Sequence, residues 1–191
     1  MAAAGAGDGR ELSLPALGLG GWDGAVTRLS TDVRLAVLGD RLTALFHCRH
    51  DRLAVNPSLP RDRGVWGLWE RDVVELFVSA GPDGVPYREV EASAAGQWLA
   101  LAFDGVRRPA KEPWRPAVRV GARVAGPRHT IEISLPLASL GLDAGAGPWR
   151  LGLFRIHGSP GAREYQSLHP TGTAIPDFHR PESWALLAPP V

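Results

Sequence analysis

From residue 31 to the C-terminus the chain repeats one motif: an apolar run of strand length, then a tight turn rich in Gly, Pro or Asp. "DVRLAVLGDRLTALFHCRH" is two such runs around Gly39-Asp40, a hairpin signal. "DVVELFVSA" and "PYREVEASA" flank the turn "GPDG", and "GQWLALAFDG" closes on Asp-Gly. "AVRVGARV" alternates Val with Arg, Gly and Ala, as a half-buried strand with a wet face does. "HTIEISLPL" sets Ile131, Ile133 and Leu135 against Thr130, Glu132 and Ser134, and "WRLGLFRIHG" is a further strand. The one candidate helix is a short turn near "LASLGLD". Connections this short favour antiparallel pairing, because parallel crossovers need a dozen or more residues. The fold class is all-β, a sandwich or barrel.

A chain of 191 residues suits one domain and can bury a core without a metal or disulfide staple. Residues 1–10, rich in Ala and Gly, read as a disordered tail, and 11–191 as a single domain. The formal net charge of +1 gives no footing for nucleic acid or an anionic membrane surface. Cys48 is the only cysteine, so no internal disulfide forms. The first residues lack the basic and apolar regions of a secretory signal, and no run reaches the roughly 18 apolar residues of a membrane span. The expected compartment is the cytoplasm, which suits a lone thiol.

Several chemistries find no support. "GLGLGG" opens no strand-to-helix unit, and there is no Gly-x-Ser-x-Gly elbow. Cys48 lies mid-strand, with no helix N-terminus to activate it. His47 and His50 fall on opposite strand faces, a poor start for a shared metal. His169, Asp177 and His179 could meet in the C-terminal loops, although loop histidines more often bond backbone. No metal, cofactor or catalytic activity is predicted. Glu75 with Glu89 or Glu91 is the pair to test for glycoside hydrolysis, but two acids on one sheet face also describe a sugar-binding surface.

The question these acids raise is concentrated in "LWERDVVELFV". Five of its last six residues are apolar and the sixth is Glu75. Period two puts Val74, Leu76 and Val78 on the predicted core face and Val73, Glu75 and Phe77 on the other. On the next strand Tyr87, Glu89 and Glu91 share a face opposite Val90 and Ala92. On "LGLFRIHG", Arg155 and His157 share a face opposite Phe154 and Ile156. If the acidic and basic sets meet, Arg155 keeps Glu75 ionised, as a ligand site or as a purely structural pair. Seven tryptophans are many for this length. Trp69, opening its strand after a Gly- and Trp-containing loop, is a candidate stacking platform at the rim, whereas Trp184 is expected in the core.

These residues carry a resemblance. "LWERDVVELF" resembles the Trp-Glu-x-Asp-x-Val-Glu-x-Phe signature of family 9 carbohydrate-binding modules, within the wider DOMON-like superfamily. "YREVEASAAGQWLALAFDG" is similar to the next strand pair of that family and "HTIEISLPLASLGL" to its amphipathic strand and short turn. "YQSLHPTGTAIPDFHRPESWALL" is similar to its closing segment, and together the matches run in order from about residue 30 to the C-terminus. The resemblance implies an antiparallel two-sheet β-sandwich that binds a sugar between two aromatic rings, without catalysis. It carries Trp69 onto the first clamp aromatic, Phe178 onto the second, where better-known binders have Trp, and Glu75 onto an acidic sugar contact. Glu89 stands where those binders have Arg, and Ile175 where they have Asn. With the strand reading, the expected ligand-binding set is Trp69, Glu75, Glu89, Arg155, His157 and Phe178, and the partner is a carbohydrate or other small polar ligand. DOMON relatives that bind haem through Met and His supply one alternative, but Met1 is the only methionine here, which excludes that pairing. A protein-interaction module is the other alternative.

Overall fold

The structure, a computed structural model, describes residues 12, 13, 15–142 and 148–188; the predicted tail at 1–10 lies outside them. The strands are β1 (Leu12–Ser13), β2 (Leu17–Gly18), β3 (Gly20–Gly21), β4 (Thr31–Leu38), β5 (Arg41–Arg49), β6 (Val73–Ser79) and β7 (Tyr87–Ser93). They continue as β8 (Trp98–Gly105), β9 (Arg108–Pro109), β10 (Arg119–Ala125), β11 (Arg128–Pro136), β12 (Trp149–His157), β13 (Glu164–Ser167) and β14 (Ala185–Leu187). All pairings among them are antiparallel. One sheet runs β1-β4-β5-β11-β10, with β2 on β4; the other runs β3-β13-β12-β6-β7-β8-β9, with β14 on β12. The expected all-β, two-sheet sandwich is what forms.

The core between the sheets follows the alternation in the sequence. Val33, Leu35, Val37, Leu42, Ala44, Phe46, Ile131, Ile133 and Leu135 face inward from the first sheet, and Val74, Leu76, Val78, Val90, Ala92, Leu151 and Leu153 from the second. Each fully buried Val, Leu, Ile or Phe contributes about 1.5–3 kcal/mol, so this layer supplies most of the driving force for assembly. Cys48 is buried in it, and burial raises its thiol to about 11, consistent with a packed strand residue. "LASLGLD" forms a 3-10 turn, Leu137–Leu140, ended by Gly141 at φ 68°. β10 departs from its expected half-burial: among the described residues it is an edge strand paired only with β11, largely exposed on both faces.

The second sheet is buried on its outer face too. Val73, Phe77, Tyr87, Leu99, Phe103, Phe154 and Ile156 form a second apolar layer, covered by Val65 and Leu68 from one loop and by Phe178 and Trp184 from the C-terminal segment. That is why all seven residues of β6 are buried. Trp184 is buried as expected, but in this outer layer, where its indole N–H donates to the Phe178 carbonyl. The cover sits so close that a Cβ at Gly152 would stand 2.5 Å from the Phe154 ring and 3.0 Å from the Trp184 indole nitrogen. Glycine at 152 is what lets the aromatic layer reach the sheet.

Candidate functional site

The outer face of the second sheet reads as rows of paired residues. One row is Phe154–Glu75–Glu91–Leu99 and the next is Gly152–Phe77–Glu89–Leu101. Glu75 and Glu91 are therefore direct cross-strand partners, with Cβ atoms about 5 Å apart, and Glu89 is one pleat along β7 on the same face. Three acids sit at the centre of an apolar, aromatic face, and all three are buried. Glu89 Oε2 and both Glu91 carboxyl oxygens have no well-aligned hydrogen-bond partner among the described residues.

These carboxyls border a cavity of about 440 Å³. Glu75, Glu89 and Glu91 lie among Leu101, Phe103 and Ile156 of the sheet. Trp66 and Trp69 come from the loop before β6, Tyr165 from β13, and Pro176 to His179 from the C-terminal segment. Trp69 is held by the 3-10 turn Leu68–Glu70, and Trp66 meets it edge to face at 5.0 Å. Phe178 stacks on Phe154 at 4.2 Å. The aromatic rings and carboxyls together match the two halves of a sugar: C–H faces and hydroxyl edges.

Desolvation sets the electrostatics. Burial, and then the charge of Glu89, push the Glu75 carboxyl well above the usual range. Burial raises Glu91 in the same direction, with Glu75 and Glu89 adding to it. Burial brings Glu89 to about 7, while a poorly aligned hydrogen bond from the Glu91 carboxyl and the charge of the Arg107 guanidinium oppose the rise. Near neutrality the trio thus carries fewer than three charges. His179 sits above Phe77 and lies 3.8 Å from Glu89. Burial and the Arg107 charge lower its imidazole to about 4, against the pull of Asp177, so it is neutral at pH 7. Tyr87 Oη accepts the Arg107 backbone N–H at 3.1 Å and lies 2.7 Å from His179 Nδ1. With the hydroxyl donating to Nδ1, the imidazole proton is assigned to Nε2, the nitrogen facing Glu89.

Of the expected ligand set, the structure gathers Trp69, Glu75, Glu89 and Phe178 around one cavity. Arg155 and His157 do not join them, which corrects the expected pairing of Arg155 with Glu75. In the register between β12 and β6, Phe154 opposes Glu75 and Arg155 opposes Val74, so Arg155 points to the other side of the sheet. There it donates to Thr31 Oγ1 at 2.8 Å and to the Arg49 carbonyl at 2.7 Å. His157 lies between Asp72 at 3.3 Å and Asp51 at 3.1 Å. Burial alone would raise Asp72, but hydrogen bonds from His157, Ala54 N–H and Gly158 N–H outweigh it and hold the carboxyl below its usual value. His169, Asp177 and His179 also part: His169 meets the Ser183 carbonyl, Asp177 pairs with Arg107 and His179 meets Tyr87. Among the described residues no cluster of His, Cys, Asp or Glu is arranged to hold a metal ion.

Glu91, Trp66, Arg107, Tyr165 and His179 line the cavity but stood outside the expected ligand set. For Glu91 the signal was its i+2 spacing from Glu89, and for Trp66 its i−3 spacing from Trp69 in "VWGLWE". Arg107, Tyr165 and His179 come from distant segments and carried no local signal. A second hollow, bordered by Arg61, Trp98, Val118 and Val120, has no carboxyl in its lining.

No family model matches the sequence. No curated protein matches it either. Among solved structures, the fold is similar to a Bacteroides uniformis protein to which carbohydrate binding has been ascribed. That likeness has a TM-score of 0.68 at 18% identity, covering 94% of this chain and 85% of that one. It is also similar to a family 9 carbohydrate-binding module from Caldicellulosiruptor kristjanssonii in complex with glucose, with a TM-score of 0.58 at 12% identity, over 90% of this chain and 83% of that one. The complex of such a module from the same organism with cellotriose gives a TM-score of 0.58 at 13% identity, over 85% and 76% of the two chains. The shared fold is a β-sandwich.

Proposed function

We propose that this protein binds a carbohydrate, or a similarly polyhydroxylated ligand, in the outer-face cavity of the second sheet, without chemical turnover. The observation that carries the reading is the juxtaposition of Trp66 and Trp69 with buried carboxyl oxygens that no well-aligned group among the described residues satisfies. Unpaired buried oxygens cost free energy unless something else bonds them, and sugar hydroxyls can both donate and accept. Trp69, on its 3-10 turn, offers the platform, and Phe178, held flat against Phe154, lines the same cavity. The fold shared with modules seen in complex with glucose and cellotriose supports the same reading.

Calorimetric titration with glucose, cello-oligosaccharides and a wider glycan panel tests it. Binding is expected with at least one sugar, and Trp69→Ala should weaken it about 10-fold, equivalent to about 1.4 kcal/mol. Absence of binding to every sugar, or equal affinity in the Trp69→Ala variant, overturns the reading. Incubation with chromogenic aryl glycosides checks the non-catalytic part, with no release of the aryl alcohol expected.

A further inference from the structure

The acidic trio asks for more than hydroxyls. Glu75 and Glu91 oppose each other across β6 and β7, Glu89 flanks them, and like charges set directly opposite destabilise a sheet. Among the described residues neither arginine bordering the cavity forms an ion pair with the trio. Arg107 closes on Asp177 at 2.6 Å, and Arg163 donates to the Glu70 carbonyl while its Nε is unbonded. His179 lies 2.7 Å from the Tyr87 hydroxyl, and Tyr87 and Tyr165 bring no charge of their own. A neutral sugar would fill this cavity and leave the carboxyls either uncharged or mutually repelling.

A protonated amine supplies what is missing: three N–H donors in a tetrahedral array and one positive charge. The mouth suits it as well, since the indole faces of Trp66 and Trp69 attract cations. We propose that the ligand of this cavity is an amino sugar whose ammonium sits among Glu75, Glu89 and Glu91. This rests on the carbohydrate reading and narrows it. Because burial keeps the trio partly protonated near neutrality, ammonium binding ionises carboxyls and releases protons to the buffer.

Calorimetry at pH 7, in two buffers of different ionisation enthalpy, should compare glucosamine and galactosamine with glucose and galactose, and with the N-acetyl forms of both. At least one amino sugar is expected to bind 10-fold or more tightly than both its neutral parent and its N-acetyl form, with proton release. The Glu75→Gln/Glu91→Gln double variant should lose that preference, holding the amino sugar no more tightly than its neutral parent; circular dichroism and thermal unfolding establish that it folds. Equal or tighter binding of the neutral sugars overturns the amino-sugar inference and leaves the carbohydrate reading standing. Failure of every sugar to bind overturns both.

Discussion

Arg155 and Glu75 sit on paired strands, one residue out of register, and never meet. Each belongs to a buried polar cluster on its own face of the second sheet. The Arg155 cluster is closed: its guanidinium meets Thr31, the Arg49 carbonyl and His157, and both Asp72 oxygens accept backbone N–H groups. The Glu75 cluster is open, with three carboxyl oxygens of Glu89 and Glu91 left unbonded beside a cavity. A closed cluster of buried charge holds a structure together; the open one, we propose, holds a place for a ligand. The contrast separates the two roles more cleanly than residue type does, since both clusters are rich in ionisable groups.

The largest expected effect breaks the closed side. Arg155→Ala leaves Thr31, the Arg49 carbonyl and His157 without their donor and empties a buried side-chain volume, and should cost about 3–5 kcal/mol in urea unfolding. Neutralising the open side should act in the opposite direction. An unfolded Glu titrates near 4.5, while folded Glu89 titrates near 7 and Glu75 and Glu91 lie well above 4.5. The folded state therefore holds protons that the unfolded chain has lost, and this stability, complete below pH 4.5, disappears as pH rises through the folded values. His179, lowered to about 4, and His129, lowered to about 3, work the other way, but only below 6.5. Above pH 6.5 the acids act alone, so wild type should lose stability between pH 6.5 and 8.5. The Glu75→Gln/Glu91→Gln variant should lose less and be more stable at pH 8.5, by about 1–3 kcal/mol in the same unfolding experiment.

Gly152→Ala forces the aromatic cover off the sheet and should lower stability by about 1–3 kcal/mol, read as a shifted melting temperature. The smallest effect sharpens the ligand side. Trp66 is 75% exposed, so Trp66→Ala should leave unfolding unchanged within about 0.5 kcal/mol. The same variant should weaken sugar binding by about 0.5–1.5 kcal/mol in a calorimetric titration.

Alternation was enough to read the core from the sequence. Val74, Leu76 and Val78 face inward and Glu75 outward, as period two requires, and Glu89 and Glu91 follow on the partner strand. The face taken by Arg155 was not legible, for a physical reason. Period two separates Arg155 and His157 from Phe154 and Ile156 but does not say which set looks into the core. The expectation put the apolar pair inside. The structure inverts this because the outer face is roofed by Phe178 and Trp184, while Thr31, Gln166 and Asp72 make a polar end to the core layer. Neither arrangement has a local signature, since both depend on chain segments far away in sequence. The same reason hid the contributions of Arg107, Tyr165 and His179 to the cavity. Trp66 could have been found, as its spacing from Trp69 is visible in six consecutive letters.

Because Trp66 and Trp69 stand in one hollow, Trp98 in the other and Trp149 in the core between the sheets, their indole N–H signals report where a ligand lands. We expect titration with a binding sugar, followed by NMR, to move the Trp66 and Trp69 resonances while those of Trp98 and Trp149 stay fixed. Movement of Trp98 with Trp66 and Trp69 unchanged would contradict the outer-face site.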